Sequence, residues 1–234
     1  MVRARWIVGA DGGQSAVRRW AGLDPCLRDS RRYGFRRHYR VAPWSAFMEI
    51  HWGDGCQLYI TPVSEGEICV VVVSRDRGLR LDAALERFPE AARRLAGAGP
   101  ATLERGGVSA SRRLRAVSRG NVALVGDASG SVDAITGEGL CLLFQHAAAV
   151  AEALEAGDLG RYEAAHRRIA RRPAFIGDVM LAIGARQRLR RRAVRALASR
   201  PRLFARMLAM HVGQLSPLAS AANGLALGWR MVTL

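Results

Sequence analysis

Val122-Ala-Leu-Val-Gly-Asp-Ala-Ser-Gly-Ser-Val-Asp-Ala-Ile-Thr-Gly-Glu-Gly-Leu140 is the stretch that decides how this chain folds. Its four leading apolar residues, Val122 to Val125, form a short buried strand. Gly126 and Asp127 end that strand. They bring the acid and its neighbour Ala128 to the carboxyl edge of a sheet, where open α/β sheets take their ligands. A glycine pair, Gly137 and Gly139, flanks Glu138 and opens a long helix over 138–156. Leu140, Leu143, Phe144, Ala147, Ala151 and Leu154 repeat along it with helical period, and no formal charge interrupts 140–151. The pattern predicts a helix buried on most sides. A carboxylate in that position can accept hydrogen bonds from ligand hydroxyls. Backbone N–H groups at a glycine-rich helix start favour negative charge. Gly126, Asp127, Ala128, Gly137, Glu138, Gly139 and Leu140 are therefore candidate ligand contacts, set against the plainer reading of a βα turn with helix-capping acids.

A second, weaker stretch stands near the start: Val8-Gly-Ala-Asp-Gly-Gly-Gln-Ser-Ala-Val-Arg18. A strand over 2–9 leads into a tight turn and then a helix over 15–21. Glycine lets backbone approach a ligand closely, and Ser15 can satisfy the first free N–H groups of the helix. An anionic or hydroxyl-rich ligand there would meet the positive end of the helix. Asp11, Gly12 and Ser15 join the candidates, although Asp-Gly turns are as often purely structural.

Between the two motifs the pattern turns to β, with strands expected at 33–41, 46–52, 56–62 and 67–74. Gly53-Asp54-Gly55 and Ser64-Glu65-Gly66 supply the hairpin turns. The apolar run from Ile68 to Val73 reads as a central strand. One helix is expected over 81–96. The remainder is helical: one helix over 161–172, then one with Phe175, Ile176, Val179, Met180 and Ile183 inward, then segments broken at Pro201 and Pro217.

The chain has 234 residues, with 36 Lys+Arg, 20 Asp+Glu and a net charge of +16. All 36 cations are arginine. Arginine without lysine, spread along the chain, reads as a coding bias more than a polyanion site, so no nucleic acid is expected. Cys26, Cys56, Cys69 and Cys141 are scattered and show neither disulfide nor metal-ligand spacing. No signal-like segment is visible, which points to a reduced, cytoplasmic protein. His38, His51, His146, His166 and His211 share no spacing with acids and read as structural or surface groups. The cluster Arg186, Arg188, Arg190, Arg191, Arg192 and Arg195 is the densest basic run. It reads as a solvated helix face or, across 186–212, as a peripheral contact with a membrane surface.

At these two motifs the chain resembles the class of flavin-dependent oxidoreductases that includes para-hydroxybenzoate hydroxylase and the geranylgeranyl reductases. The resemblance covers most of 3–156. It implies that the stretch Gly9-Ala10-Asp11-Gly12 lies near the FAD pyrophosphate, with Ser15 also among the cofactor contacts. It places Asp127 on the ribityl chain, and Gly137, Glu138, Gly139 and Leu140 against the isoalloxazine ring. It also implies reduced nicotinamide, NAD(P)H, as electron donor, a small apolar organic substrate, and catalysis by the cofactor rather than by a protein nucleophile. Ala134 stands where the family usually has proline. Cys141 stands where hydroxylases often carry asparagine. The wording from Asp133 to Gly139 is nearer the geranylgeranyl reductases.

The expected fold class is α+β: a partial FAD-binding α/β (Rossmann-like) remnant, 1–28 with 117–157, an antiparallel β-sheet substrate insert, 29–116, and a helical C-terminal region, 158–234. The family's opening GxGxxG is absent. That implies the later part of a longer flavoprotein, with a missing N-terminal FAD-binding segment and weak FAD binding alone. The rival from another class is a catalytically inactive basic protein that associates with a membrane surface or nucleic acid.

Overall fold

The computed structural model of the chain describes residues 3–233. In chain order the strands are β1 (Ile7–Gly9), β2 (Cys26–Arg40), β3 (Glu49–Trp52), β4 (Cys56–Ser64), β5 (Glu67–Ser74), β6 (Gly99–Pro100), β7 (Arg105–Leu114), β8 (Ser118–Arg119) and β9 (Val122–Leu124). The α-helices are α1 (Ala16–Trp20), α2 (Leu81–Leu85), α3 (Pro89–Leu95), α4 (Gly139–Glu155), α5 (Leu159–Gly184), α6 (Gln187–Ala198), α7 (Pro201–His211) and α8 (Pro217–Thr233). The fold is mixed α+β, with an antiparallel sheet and a helical C-terminal region. It divides into two units, one of Met1–Pro25 with Leu114–Leu234, the other of Cys26–Arg113. The Val2 end of the first expected strand lies outside the described residues; β1 itself is short.

In the second unit the strand order is β7-β2-β5-β4-β3, with β6 also paired to β2. Antiparallel registers set Phe35 opposite Val72, Leu58 opposite Val72, and Ile50 opposite Tyr59. The run from Ile68 to Val73 is central, as its two-sided apolarity predicts. Its Val70 and Val72 pack with Leu58, Leu81, Ala84 and Phe88 into the core between sheet and helices. The single helix expected over 81–96 is instead two. Pro89 has no N–H to offer the carbonyl of Leu85, and its ring drives Phe88 to φ −129°, ψ 68°, outside the helical region. Strand escaped the sequence pattern in the first half of β2, in all of β7 and in the two-residue β6 and β8. The first two are rich in arginine, and one arginine is paired across them: Asp29 of β2 accepts from Arg112 of β7 at 3.1 Å.

The first unit is organised on a three-stranded sheet, β1-β9-β8, in which β1 and β9 are parallel. Helices α4 and α5 pack together behind it. The fully buried Tyr162 of α5 donates its hydroxyl to the carbonyl of Leu124 in β9. Helix α4 is not buried on most sides. Its inner face is Leu142, His146, Val150 and Ala153, while Leu140 and Phe144 are each 70% exposed. Apolar residues lie on both faces of the helix, so its own pattern does not choose the inner one. Stacking of His146 on His166 of α5, with ring centroids 4.1 Å apart, accompanies that choice. Helix α5 runs unbroken through Pro173, where two helices were expected. The proline ring is fully buried, and its packing offsets the lost bond to the carbonyl of Ile169. Ile176 faces inward as expected, but Phe175 and Val179 face out. Pro201 and Pro217 open α7 and α8, where a missing N–H costs nothing.

Candidate functional site

Every candidate contact lies in the first unit. β1 ends at Gly9, where a Cβ would sit 2.8 Å from both Leu124 Cδ2 and Val17 Cγ1, so the strand can approach α1 and β9 only without a side chain. The chain then turns through Gly12 at φ 78°. Asp11 Oδ2 accepts from the N–H groups of Ala16 at 2.6 Å and Val17 at 3.1 Å. The Ser15 hydroxyl is the largest influence on that carboxylate and, with these amides, holds its pKa down to about 2. Ser15 is buried, and its Oγ accepts from Arg18 N at 2.9 Å. Both polar candidates of this motif are therefore bound up in starting α1.

In the second motif, Gly126 follows Val125 at φ 58°, and a Cβ there would lie 2.9 Å from Leu143 Cδ1. Glycine alone suits both the left-handed backbone and the close approach of α4. A single 3-10 turn, Gly126–Ser129, carries Asp127 outward and buries Ala128. The Asp127 carboxylate is exposed just beyond the carboxyl end of β9. A second 3-10 turn, Ala134–Thr136, is capped by Asp133, whose Oδ1 accepts from Ile135 N at 3.0 Å. Gly137 at φ 66° ends it, and α4 starts at Gly139. A Cβ at Gly137 or Gly139 would meet nothing within 4 Å, so open space lies before the helix start.

Glu138 behaves otherwise than its neighbours. It is buried, accepts from Arg172 Nη2 of α5 at 3.2 Å, and leaves Oε2 without a hydrogen bond. His211 at the end of α7 lies 3.9 Å from that Oε2 and donates from Nε2 to the carbonyl of Thr136 at 2.7 Å. Leu140, by contrast, stands in the open. Asp127, Gly137, Gly139 and Leu140 are thus accessible, whereas Ala128 and Glu138 are turned inward.

Arg18 joins the two motifs, and sequence reasoning did not single it out. It is 2% exposed; Nη2 donates to the Gly13 carbonyl at 2.9 Å, Nη1 to the Ala128 carbonyl at 3.1 Å, and Nε to Asp24 at 2.9 Å. The available signal was its place on α1 three residues after the capping serine. Arg172 and His211 carried no local signal, because their partners are 34 and 75 residues away.

The residues present fit FAD. Glycine leaves room at the start of α4, whose first N–H groups have no acceptor within the helix. The accessible carboxyl group of Asp127, just beyond β9, suits hydroxyl donors. Asp127 and the backbone of Gly137 and Gly139 would hold the cofactor there, and Arg18 would fix the turn that carries Asp127.

A family model described as FAD binding domain matches residues 1–161. Among curated proteins, the digeranylgeranylglycerophospholipid reductase of Thermoplasma volcanium is 30% identical over 181 residues, covering 69% of this chain and 46% of that protein. Among solved structures, a geranylgeranyl bacteriochlorophyll reductase-like protein of Thermoplasma acidophilum superposes with a TM-score of 0.64 at 21% identity, covering 79% of this chain and 51% of that one. PqsL of Pseudomonas aeruginosa, solved with 2-aminobenzoylacetate, gives a TM-score of 0.55 at 26% identity, over 78% of this chain and 54% of that one. The chain spans about half the length of these relatives. The match does not favour the rival reading of a basic binding protein without flavin chemistry. Over most of its length the chain belongs to the FAD binding domain family.

Proposed function

We propose that this chain is part of an FAD-dependent oxidoreductase that reduces or hydroxylates a small apolar organic substrate, with NAD(P)H as electron donor. The observation that carries the reading is the exposed Asp127 at the end of β9, beside the open glycine start of α4. The names of the relatives support the chemistry: a digeranylgeranylglycerophospholipid reductase and a probable FAD-dependent monooxygenase. FAD, when bound, supplies the hydride and oxygen chemistry that side chains lack. The chain's own residues bind and orient. Asp127 accepts from hydroxyls of the cofactor's chain. The N–H groups at the start of α4 favour negative charge on the ring. Arg18, Arg172 and His211 keep the two supporting turns in place.

Titrating FAD into the purified chain and following flavin fluorescence tests the site. The expected outcome is saturable binding that weakens about tenfold in D127N, the value of one hydrogen bond to a charged acceptor. The thermal midpoint should not move, because the Asp127 side chain is exposed. Equal affinities of D127N and the parent chain refute the assignment. NADPH oxidation by the flavin-loaded protein tests the donor separately.

A further inference from the structure

We propose that α6, α7 and α8 form a docking surface for an anionic phospholipid bilayer. The three helices share a small core of Ala196, Leu203 and Leu227, with Leu197, Met207 and Met231 against it. That core leaves much apolar surface outside. On α8, Leu218, Leu225, Trp229 and Val232 are 85%, 76%, 71% and 74% exposed. Their successive spacings of seven, four and three residues place them in one helical stripe, opposite the buried Leu227. Phe204 and Leu208 of α7, and Val212 just past its end, follow at intervals of four and are also exposed. The charge of this region is of one sign. After Asp178 the sequence carries ten arginines and no acidic residue. Arg188, Arg191, Arg192 and Arg195 of α6 are exposed to solvent.

An occupant must satisfy both the stripe and the arginines. A nucleic acid would neutralise the arginines but leave the stripe bare. A second copy would cover the stripe but set ten arginines against ten. An anionic bilayer covers the stripe with acyl chains and pairs the guanidinium groups with headgroups. Trp229 is the residue type that settles at the headgroup level. Among the described residues no helix is long and apolar enough to cross a membrane, so the contact lies along the surface.

Flotation of the whole purified chain tests the proposal, with phosphatidylcholine vesicles that contain or lack phosphatidylglycerol. Binding is expected only with phosphatidylglycerol, and it should weaken as salt rises. Each arginine near the surface is worth about fivefold in partition, so R188Q/R191Q/R192Q should lose about a hundredfold. L225S/W229S should lose at least tenfold while keeping its far-ultraviolet circular dichroism, since both side chains are solvent-facing. Lipids brominated on their acyl chains should quench the parent's tryptophan fluorescence more than that of W229F. The proposal is overturned by no flotation with phosphatidylglycerol at low salt, by unchanged flotation of L225S/W229S, or by binding to duplex DNA without binding to vesicles. A dimer that L225S/W229S converts to monomer, with partition unchanged, also overturns it, because the stripe would then belong to a second copy.

Discussion

Acid should unfold this protein through two histidines, and the size of the effect follows from their surroundings. His146 of α4 and His166 of α5 stack between the two helices at 4.1 Å. Ser129 uses its hydroxyl proton on the Gly126 carbonyl at 2.8 Å, so His166 donates from Nε2 to Ser129 Oγ at 3.0 Å. His146 Nε2 is buried without a partner. Burial pulls the His146 pKa down to about 4. Burial first, then the His146 and Arg167 charges, pull His166 down to about 3. In the unfolded chain both titrate near 6.5. Above that pH neither state binds these protons, and stability is flat. Below it the unfolded chain takes up protons that the folded chain refuses, so stability falls as pH falls. At pH 5 the loss is about 2 kcal/mol per histidine, or about 4 kcal/mol for the pair. Against a typical total of about 5–15 kcal/mol, that is a large share. Urea midpoints followed by circular dichroism between pH 7 and pH 5 measure it. H146L should remove about half of the slope, because leucine fills the same face without a base. A parent slope near zero over this window, or an H146L slope equal to the parent's, refutes the reasoning.

Other perturbations test the scaffold around the site. R18A should destabilise by about 3 kcal/mol in urea unfolding, since it removes hydrogen bonds to the Gly13 and Ala128 carbonyls together with the packing of a fully buried side chain. R18K should recover only part of that, because an ammonium cannot reproduce the fork. G9A should cost about 1–3 kcal/mol, since its Cβ meets Leu124 and Val17 at 2.8 Å. L58A in the second unit should cost about 3 kcal/mol in the same assay, because Leu58 is fully buried in the core of the sheet.

Much of this molecule was legible in particular stretches of sequence. β5 runs over 67–74 as read, because six consecutive apolar residues suit only a strand covered on both faces. β9, the turn at Asp127 and the helix start at Gly139 also stand where the wording of that stretch puts them. Errors arose where two readings satisfied the same local pattern. Helix α4 could have buried either face. The α2–α3 break lay in a helical stripe that Pro89 interrupts. β7 hid in polar, glycine-rich sequence because its neighbours, not its own side chains, make it a strand.

Local chemistry is written in the sequence: the turn at Asp127, the glycine-rich start of α4, the serine that starts α1, and last helices that carry arginine with no acid. Tertiary structure alone decided which groups remain accessible. Asp11 and Ser15 close on α1, and Glu138 turns to Arg172, so that Asp127 and the glycine pair are left facing outward. The physical reason is separation along the chain. Arg18 reaches Ala128 across 110 residues and His211 reaches Thr136 across 75, and no local period records a hydrogen bond made over that distance.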